Sequence, residues 1–577
     1  MERSPNSTEL DPERLDRLDY LVAALKKRGI YLTLDLYTIR ATRPGELPAY
    51  PDRSFRHDEY KGLIYIDDAA MKNWMQFSRN LLEHRNPYTG LSWKKEPAIV
   101  FLSLVNEDTL FDLLRKVPFV QKIYEEEFMR YAARKKIQLN NRNRAAEYDR
   151  FLTARYLRGY RKMRDFCRRQ GVVAPICGQN YCNYNPQAIV RREFDYVDNH
   201  FYHGHPSTGG RTPLQFNPAS AIPGKLSSLT DAALSRDFRK PFVISEYDFC
   251  TPNPCNVEGA LLTGAYGAFQ GWDAICRFAY EGKPERCRQE VPLAVFTIRH
   301  DPLRLLSERA AQLFFLRGDV KRSNDARLIL QAETAASYPR LQPLALLNAV
   351  GTMAVSCPGF SMPSPMGGVI LKEIPRHFIS ANLSALEAEA AARELAGRKK
   401  FLSDTGELSL DAGNGTFSVI TPFSEGAVLP GCGVAEGRFA RIENLRGFAA
   451  FAVASLDNRP LASSRRILLL HLTSSRNSNM IFRGRQEEHL QSWGTLPILV
   501  RNGAAKLTLN RNLSKFRCYA LDLNGVRVGD IPLTVHKEHT MLSLYTGRFG
   551  KVIAACELVS EDLHSQGKHF SREGGTK

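Results

Sequence analysis

The sequence predicts an α/β fold: a (β/α)8 TIM barrel lacking about its first two strands, followed by a C-terminal β-sandwich-like domain. Apolar segments at 98–105 and 241–246 show no period-two alternation, which is typical of strands buried on both faces of a parallel sheet. Helix-like and strand-like segments alternate over residues 11–316, a pattern that favours parallel βα units. From residue 406, short β-branched segments between turn residues favour antiparallel sheets.

The alternating region begins with a well-marked helix. Asp11 suits the N-cap, Pro12 the first helical position and Gly29 the C-terminal end. The predicted helices are 11–28, 69–84, 145–170, 228–237, 257–269 and 301–316. The predicted strands are 30–36, 98–105, 171–177, 194–200, 241–246 and 274–280. Because an eightfold barrel needs eight strands, we expect a chain short of one and a half to two βα units at its N-terminus: a truncated gene model, a fragment or a degenerate barrel.

Four regions are predicted along the chain. Residues 1–320 form the barrel, incomplete at its N-terminus, and residues 321–405 form a mixed helical connecting region with a helix at 384–400. Residues 562–577 are polar and are expected to be a disordered tail. Residues 406–561 form the β-sandwich domain, with strands at 415–420, 466–472, 495–500 and 515–521.

Composition and charge restrict the classes of function. The net charge of +18 is dispersed and no nucleic-acid motif accompanies it, so solvated basic surfaces are favoured over a polyanion site. No run of about 18 apolar residues is present, so no membrane span is predicted. The first residues have no apolar signal-peptide region. The compartment stays open: secreted or periplasmic if a signal peptide lies upstream of Met1, otherwise cytoplasmic.

The cysteines do not indicate a metal site or a disulfide framework. Their number, eleven, is odd, and none forms a CxxC pair. Buried free thiols are the favoured interpretation, with a loop disulfide Cys250–Cys255 as the alternative. No cofactor is predicted.

Two apolar strands end in a glutamate, Glu107 after 98–105 and Glu246 after 241–245. Because the C-terminal ends of parallel strands lie at one edge of the sheet, we expect the two carboxyl groups at one rim of the barrel. Glycoside hydrolysis needs such a pair, one group to donate a proton and the other to attack the sugar or activate water. Asn106, beside Glu107, is expected to bind a sugar 2-hydroxyl.

Another strand between the glutamates ends in polar and aromatic residues. His200 and Tyr202 are two positions apart and therefore share one face of that strand. The Tyr202 hydroxyl is expected to hold Glu246 in its ionised form. Aromatic rings suit the C–H surfaces of sugars, with core packing as the alternative for each ring. The further candidates for substrate binding are Asn180, Tyr247, Trp272 and Tyr280.

These residues carry a resemblance to a known group of enzymes. The segments Val105-Asn106-Glu107, His200-Phe201-Tyr202 and Ile244-Ser245-Glu246-Tyr247 resemble those of clan A glycoside hydrolases, retaining (β/α)8 enzymes that include family 5 cellulase-like and family 42 β-galactosidase-like proteins. Their order and spacing match that clan's acid/base on strand four, His-x-Tyr on strand six and nucleophile on strand seven. The resemblance covers about residues 10–320.

The resemblance implies a role for each matched residue. Glu107 would be the general acid/base, with a raised pKa, and Glu246 the charged nucleophile. Asn106 and Tyr202 would bind the substrate or the nucleophile, and His200 would bind the substrate. The first-strand Arg and the second-strand substrate residues of the clan have no counterpart here. The candidates for its eighth-strand Trp are Phe278, Tyr280 and Trp272.

Alternatives remain open at three points. His200, His203 and His205 could form a metal cluster, although their segment is loop-like. Asp35 is either a substrate contact or the partner of an arginine such as Arg40.

The predicted function is a retaining β-glycoside hydrolase that acts on an oligo- or polysaccharide, with no nucleic-acid or membrane partner. The alternatives are a catalytically impaired barrel that binds carbohydrate and, more remotely, a basic polyanion-binding scaffold.

Overall fold

The computed structural model describes residues 6–181, 187–208, 210–332, 341–355 and 379–563. The α-helices in these ranges are Pro12–Lys26 (α1), His57–Leu63 (α2), Asp68–Glu83 (α3), Leu110–Lys116 (α4), Pro118–Arg134 (α5), Arg144–Gln170 (α6), Gln187–Arg191 (α7), Ser227–Leu234 (α8), Glu258–Gln270 (α9), Pro302–Phe315 (α10), Leu344–Leu347 (α11) and Ala385–Ala396 (α12). Short 3-10 helices span Trp93–Lys95, Pro284–Cys287 and Arg548–Gly550.

The first ten strands are Leu32–Asp35 (β1), Ile99–Ser103 (β2), Ile176–Cys177 (β3), Val197–His203 (β4), Leu214–Gln215 (β5), Phe242–Phe249 (β6), Ala274–Arg277 (β7), Ala326–Ala332 (β8), Ala349–Val355 (β9) and Ile379–Ser384 (β10). The later strands are Lys400–Leu402 (β11), Leu408–Asp411 (β12), Thr416–Ile420 (β13), Ser424–Leu429 (β14), Val434–Glu436 (β15), Ala440–Asn444 (β16), Ala449–Ser455 (β17), Arg466–Leu472 (β18), Ser475–Ser478 (β19), Ile481–Arg483 (β20), His489–Ser492 (β21), Thr495–Val500 (β22), Ala504–Leu509 (β23), Phe516–Leu521 (β24), Arg527–Ile531 (β25), Thr534–Val535 (β26), Thr540–Tyr545 (β27) and Ala555–Ser560 (β28).

The first part of the chain forms two parallel sheets of three strands. Their strand orders are β1-β2-β3 and β4-β6-β7, and every neighbouring pair is parallel. The Asp195 N–H donates to the Ile176 carbonyl at 3.0 Å, which connects the segment entering β4 to β3. The strands in the described residues form no closed sheet. The structure therefore confirms a parallel α/β arrangement, and the eightfold barrel stays a prediction.

The helices predicted over 11–316 are all present, with ends shifted by up to three residues. At the start of α1, the Asp11 carboxylate accepts the Arg14 N–H at 3.0 Å, the expected N-cap bond. Helices α2, α4, α5 and α7 are absent from the prediction. Helices α4 and α5 meet at Pro118, which opens α5 instead of ending a helix, because proline lacks only an N–H that is free in a first turn anyway.

Two strands lie at free edges of the parallel region. Thr33 in β1 and Cys276 in β7 are exposed, and the other residues of these strands are half-buried. The central strand β6 is buried except at Ser245 and Glu246, which are half-buried. Strand edges offer unpaired N–H and C=O groups. In the described part of the chain, no further strand pairs with the outer edge of β1 or of β7.

Two antiparallel sheets dominate the C-terminal region. One has nine strands in the order β11-β12-β13-β14-β17-β18-β28-β24-β25, and the other has five in the order β15-β16-β23-β27-β26. Val453 and Leu469 of the first sheet share an apolar core with Leu507 and Leu542 of the second. The strand-rich C-terminal region predicted from the sequence is therefore present.

The nine-stranded sheet also packs against the parallel region. Tyr266 of α9 lies 5.7 Å from Phe417 of β13, measured between ring centroids. Phe314 of α10 and Val428 of β14 belong to the same apolar core. This core therefore joins the helices that follow β6 and β7 to the C-terminal sheets.

Residues 475–500 of the C-terminal region, which include the hairpin of β20 and β21, reach the loops that follow β4 and β7. Strand β21 pairs with β5, which lies in the loop after β4. The Trp493 indole N–H donates to the Gly210 carbonyl at 2.8 Å, and Asn477 Oδ1 accepts the Leu293 N–H at 2.7 Å. Both loops leave the C-terminal ends of their strands, so this segment braces that edge of the sheets.

Three other predictions concern the connecting region, a disulfide and the C-terminal tail. The connecting region 321–405, predicted as mixed helical, contains a parallel sheet of order β10-β8-β9 besides its helices. Cys250 and Cys255 are free thiols, so the alternative disulfide is not formed. Most of the predicted tail 562–577 lies outside the described residues.

Among the described helices, none has the length and apolar character needed to span a membrane.

Candidate active site

The C-terminal ends of β2, β4 and β6 bring Glu107, His200 and Glu246 together. Glu107 lies four residues beyond the end of β2, and His200 is in register with Glu246 across β4 and β6. The His200 side chain is 1% exposed, against 36% for Glu107 and 18% for Glu246. The imidazole thus lies beneath two carboxylates that reach solvent.

One nitrogen of His200 faces both carboxylates. Its Nδ1 lies 3.0 Å from Glu107 Oε1 and 3.6 Å from Glu246 Oε2. One ligand atom from each of the three residues lies within 4.8 Å of the other two. The two glutamates predicted from separate strands are therefore neighbours.

Glu246 has a donor on its other side. The Tyr202 hydroxyl donates to Glu246 Oε2. Burial raises the pKa of Glu246, and the His200 charge and the Tyr202 hydrogen bond oppose that rise. Burial and the neighbouring Glu246 charge hold the pKa of Tyr202 well above its usual range, so its hydroxyl keeps its proton. The predicted contact between Tyr202 and Glu246 is present.

The pKa of Glu107 moves in the opposite direction from the expected one. Burial alone would raise it, but the His200 hydrogen bond, the His200 charge and the charges of Lys61 and Lys116 together lower it. Lys61 of α2 is 4% exposed and was missed in the sequence, where nothing separates it from other basic residues. Burial alone would lower the pKa of His200, but Glu107, Glu246 and Asp198 raise it to about 9. The proton expected on Glu107 therefore lies on its hydrogen-bonded neighbour.

The loop after β2 is held by two asparagines. Glu107 has φ of 52°, in the left-handed region that few non-glycine residues adopt. Its N–H donates to Asn180 Oδ1 at 2.6 Å, and Asn180 Nδ2 donates to Asn106 Oδ1 at 2.9 Å. The structure thus brings the predicted residues Asn106 and Asn180 to Glu107, where they shape the loop.

Asp108 anchors the same loop from below. It is fully buried, and its carboxylate accepts hydrogen bonds from the Gln179 N–H at 2.9 Å, from the Tyr156 hydroxyl at 3.1 Å and from the Tyr65 hydroxyl. Burial raises the pKa of Asp108 to about 6, against the effect of these donors. Loops after β2 and β3 are therefore tied together directly beneath Glu107.

Two residues behind His200 were missed in the sequence. His200 Nε2 lies 2.8 Å from Ser245 Oγ, and the Ser245 hydroxyl donates to Asp198 Oδ2 at 2.6 Å. The Ser245 N–H donates to Asp198 Oδ1 at 3.0 Å. The signal that could have revealed them is polarity within otherwise apolar strands, since Asp198 is 1% exposed.

Aromatic rings surround Tyr202 on the solvent side. Its ring centroid lies 5.2 Å from that of His205, 5.8 Å from Phe296 and 6.3 Å from Phe278. Of the three candidates for an eighth-strand aromatic residue, Phe278 is therefore the one placed beside Tyr202. Phe296 had no signal in the sequence because it lies in an irregular loop after β7.

The structure does not bring three predicted substrate-binding residues to the carboxylate pair. Trp272 is buried, with its ring 6.4 Å from Phe201, which alternates with His200 and Tyr202 and so faces the other side of β4. Tyr247 stacks on Phe201 on that side, at 5.7 Å. Tyr280 is 59% exposed and lines a separate cavity of about 370 Å³ with Tyr247. Core and surface packing account for all three.

The structure also shows the surroundings of the other two histidines, His203 and His205, and of Asp35. His203 Nε2 bonds the Ala219 carbonyl and His205 Nδ1 the Pro206 carbonyl, so neither joins His200 in a metal cluster. Within the described part of the chain, the group whose ligand atoms are close enough to hold a metal ion is Glu107, His200 and Glu246. Arg40 donates to Ser7 and Asn73. Asp35 instead pairs in register with Ser103, and burial raises the pKa of Asp35.

No protein-family model and no curated protein matches the chain. Among solved structures, a cold-adapted β-galactosidase from Rahnella sp. R3 is similar at 12% identity and a TM-score of 0.38, over 94% of this chain and 92% of that one. An endo-1,4-β-D-mannanase from Thermotoga petrophila RKU-1 gives 15% identity and 0.32, over 52% and 80%. A GH5_18 protein from Bifidobacterium longum gives 11% and 0.35, over 66% and 84%. All three are glycoside hydrolases, and these values do not assign the chain to any of their families.

Proposed function

We propose that this protein is a retaining glycoside hydrolase that cleaves β-glycosidic bonds. The observation that carries the proposal is the approach of Glu107 and Glu246 from two parallel strands, with ligand atoms within 4.8 Å of each other and of His200 Nδ1. Retaining enzymes hold their two carboxyl groups about 5–5.5 Å apart, whereas inverting enzymes need about 6.5–9.5 Å to admit a water molecule. The spacing favours direct attack by one carboxylate.

The reaction takes two steps. In the first, Glu107 gives a proton to the glycosidic oxygen while Glu246 bonds to the anomeric carbon and the leaving alcohol departs with the electrons of the broken C–O bond. In the second, Glu107 takes a proton from water, the resulting hydroxide attacks the anomeric carbon, and Glu246 is released as a carboxylate. Tyr202 supports this assignment because its hydroxyl favours the charged form of Glu246.

The role of Glu107 as acid requires a proton that its own pKa does not supply. His200 supplies the missing element, since its pKa is raised to about 9 and its Nδ1 is within hydrogen-bond distance of Glu107. At neutral pH the pair holds one proton more than a carboxylate with a neutral imidazole would hold. That proton is the one the first step consumes.

Azide rescue tests the two roles separately. We expect Glu246→Gly to lose activity on 4-nitrophenyl β-glycosides and to regain it with sodium azide, which fills the space of the carboxylate and forms an α-glycosyl azide. Glu107→Ala should also respond to azide, but with a β-glycosyl azide as product. Absence of rescue in both variants, from a wild type that hydrolyses the same substrates, would reject the mechanism. Glu258→Gln is the matched control, since Glu258 is a buried glutamate of α9 outside the site.

A catalytically impaired barrel that binds carbohydrate is the second candidate. The observation that favours it is that, in the described residues, no further strand pairs with β1 or β7, whereas a closed barrel would pair both. Calorimetry with oligosaccharides distinguishes the two functions. Binding without release of reducing sugar supports this candidate, and turnover by the 577-residue chain excludes it.

A further inference from the structure

Asp198 and Ser245 determine which way the hydrogen bonds behind His200 run. The Asp198 carboxylate is fully buried and accepts from Ser245 twice, from the hydroxyl at 2.6 Å and from the backbone N–H at 3.0 Å. A carboxylate can only accept, so the Ser245 hydroxyl hydrogen points to Asp198. The oxygen of Ser245 then has only lone pairs to offer His200 Nε2, which lies 2.8 Å away.

This arrangement leaves the imidazole with one titrating nitrogen. Nε2 must carry a hydrogen to bond Ser245, whether the ring is charged or neutral. Nδ1 is therefore the nitrogen that gains and loses a proton. It is also the nitrogen that faces Glu107 at 3.0 Å and Glu246 at 3.6 Å.

We propose that Asp198 and Ser245 are positioning residues that keep the Nε2 proton on His200, so that His200 Nδ1 relays its proton to Glu107. The relay deepens the proposed function and rests on it for its last step. The Nδ1–H bond breaks as Glu107 Oε1 takes the proton, which leaves a neutral imidazole and a neutral carboxylic acid. Glu107 then passes a proton to the leaving oxygen, and no oxidant or further reactant is needed.

The charged groups around His200 fit a stored proton. Glu107 approaches from the end of β2, Glu246 from β6 and Asp198 from β4 itself, and all three favour the imidazolium. Asp35 of β1 interacts with the His200 charge from a further side. Tyr202 stays neutral, and the positive charge of Lys61 acts on Glu107. The acidic groups around His200 outnumber the nearby cation Lys61, so a proton on His200 is compensated.

Nuclear magnetic resonance of ¹⁵N-histidine protein tests the proton positions without requiring turnover. The chain has 13 histidines, and the His200→Asn spectrum identifies the signals of His200. From about pH 5 to 10, we expect Nε2 to stay protonated and only Nδ1 to titrate, with a midpoint of about 9. A neutral His200 that carries its hydrogen on Nδ1 in the wild type would overturn the proposal.

Asp198→Asn is the sharpest variant because it reverses one hydrogen bond with almost no change of shape. The Asn carbonyl oxygen keeps the Ser245 N–H, so its NH2 group faces Ser245 Oγ and frees the hydroxyl hydrogen to point at His200. We expect the neutral ring to change tautomer, to Nδ1–H. An unchanged tautomer in this variant contradicts the relay.

Ser245→Ala provides a second measurement. Loss of the Nε2 acceptor should lower the His200 midpoint by at least about 1 pH unit and shift the alkaline limb of kcat/KM by the same amount, and Ser245→Thr should restore both. Ser78→Ala, which removes a buried hydroxyl without a hydrogen-bond partner among the described residues, should change neither. A shifted midpoint in a protein that hydrolyses no glycoside keeps the tautomer assignment and rejects the proposed function. An unshifted midpoint rejects the role of Ser245.

Discussion

The backbone N–H of Glu107 donates to Asn180 Oδ1 at 2.6 Å, and this bond joins the loop after β2 to the loop after β3. Glu107 has a positive φ at this point, so its backbone is strained and depends on its neighbours for its conformation. The position of the candidate acid is therefore set by a residue 73 positions later in the chain.

Asn180→Ala should reduce activity more than stability. A buried N–H left without an acceptor costs about 1–3 kcal/mol, or about 5- to 150-fold in kcat/KM if Glu107 moves in response. Asn180→Asp keeps the acceptor and should retain more activity than the alanine variant. Asn524→Ala, in an exposed turn, is the control. Equal kinetics for Asn180→Ala and wild type would show that the bond does not position Glu107.

Tyr202→Phe should shift the acid limb of the pH–rate profile upward. The Tyr202 hydroxyl bonds the ionised form of Glu246, so its removal raises the pKa of that carboxyl further above its usual value. A hydrogen bond to a charged group contributes about 1.5–3 kcal/mol, equivalent to a shift of about 1–2 pH units. Tyr148→Phe removes a buried hydroxyl with no partner in the described residues and should leave the limb in place. The check is kcat/KM across the acid range, and a downward shift would contradict the assignment.

Asp108→Asn should change how stability depends on pH. The pKa of Asp108 is raised to about 6 in the folded protein, so the folded state binds more protons than the unfolded state between the usual value of 3.8 and 6. Stability from this group is therefore lost as pH rises through that window, by about 3 kcal/mol. Thermal unfolding from about pH 4 to 7 should show a flatter profile for the variant than for wild type. Parallel profiles would mean that Asp108 titrates normally.

Metal ions should inhibit and not activate. Zinc needs the Nδ1 lone pair of His200, which carries a proton below its pKa of about 9. Inhibition by Zn²⁺ should therefore strengthen about tenfold for each pH unit between about 6 and 8, and EDTA should leave activity unchanged. Loss of activity in EDTA that added Zn²⁺ restores would instead identify Glu107, His200 and Glu246 as a functional metal centre.

The pairing of the two glutamates could be predicted because it depends on strand direction alone. Glu107 and Glu246 follow buried apolar segments, and parallel strands place such ends at one edge. The contact between Tyr202 and Glu246 could also be predicted, because side chains alternate along β4 and Tyr202 therefore shares a face with His200. Closure of the barrel could not be predicted from these patterns, because the sequence shows only six strands in the alternating region and an eightfold barrel needs eight.

The role of Ser245 and the position of Trp272 depend on details that a sequence pattern does not contain. Simple alternation sends Ser245 and Glu246 to opposite faces, but a register shift between Ile244 and Tyr247 lets both reach His200. Trp272 follows a helix and precedes an edge strand, where either side of the sheet is accessible to an indole. Packing against Phe201 decides the side.

The core shared by α9, α10 and the nine-stranded sheet makes the site dependent on residues that never approach it. Tyr266 and Phe314 pack in one apolar core with Ile244 of β6, the strand that carries Glu246, and with Phe417 and Val428 of the nine-stranded sheet. Removal of the C-terminal sheets would expose this apolar surface to water and favour aggregation over catalysis. The C-terminal sheets are thus part of the packing that supports the strand carrying Glu246, and we expect neither part to fold correctly if the chain is cut at residue 320.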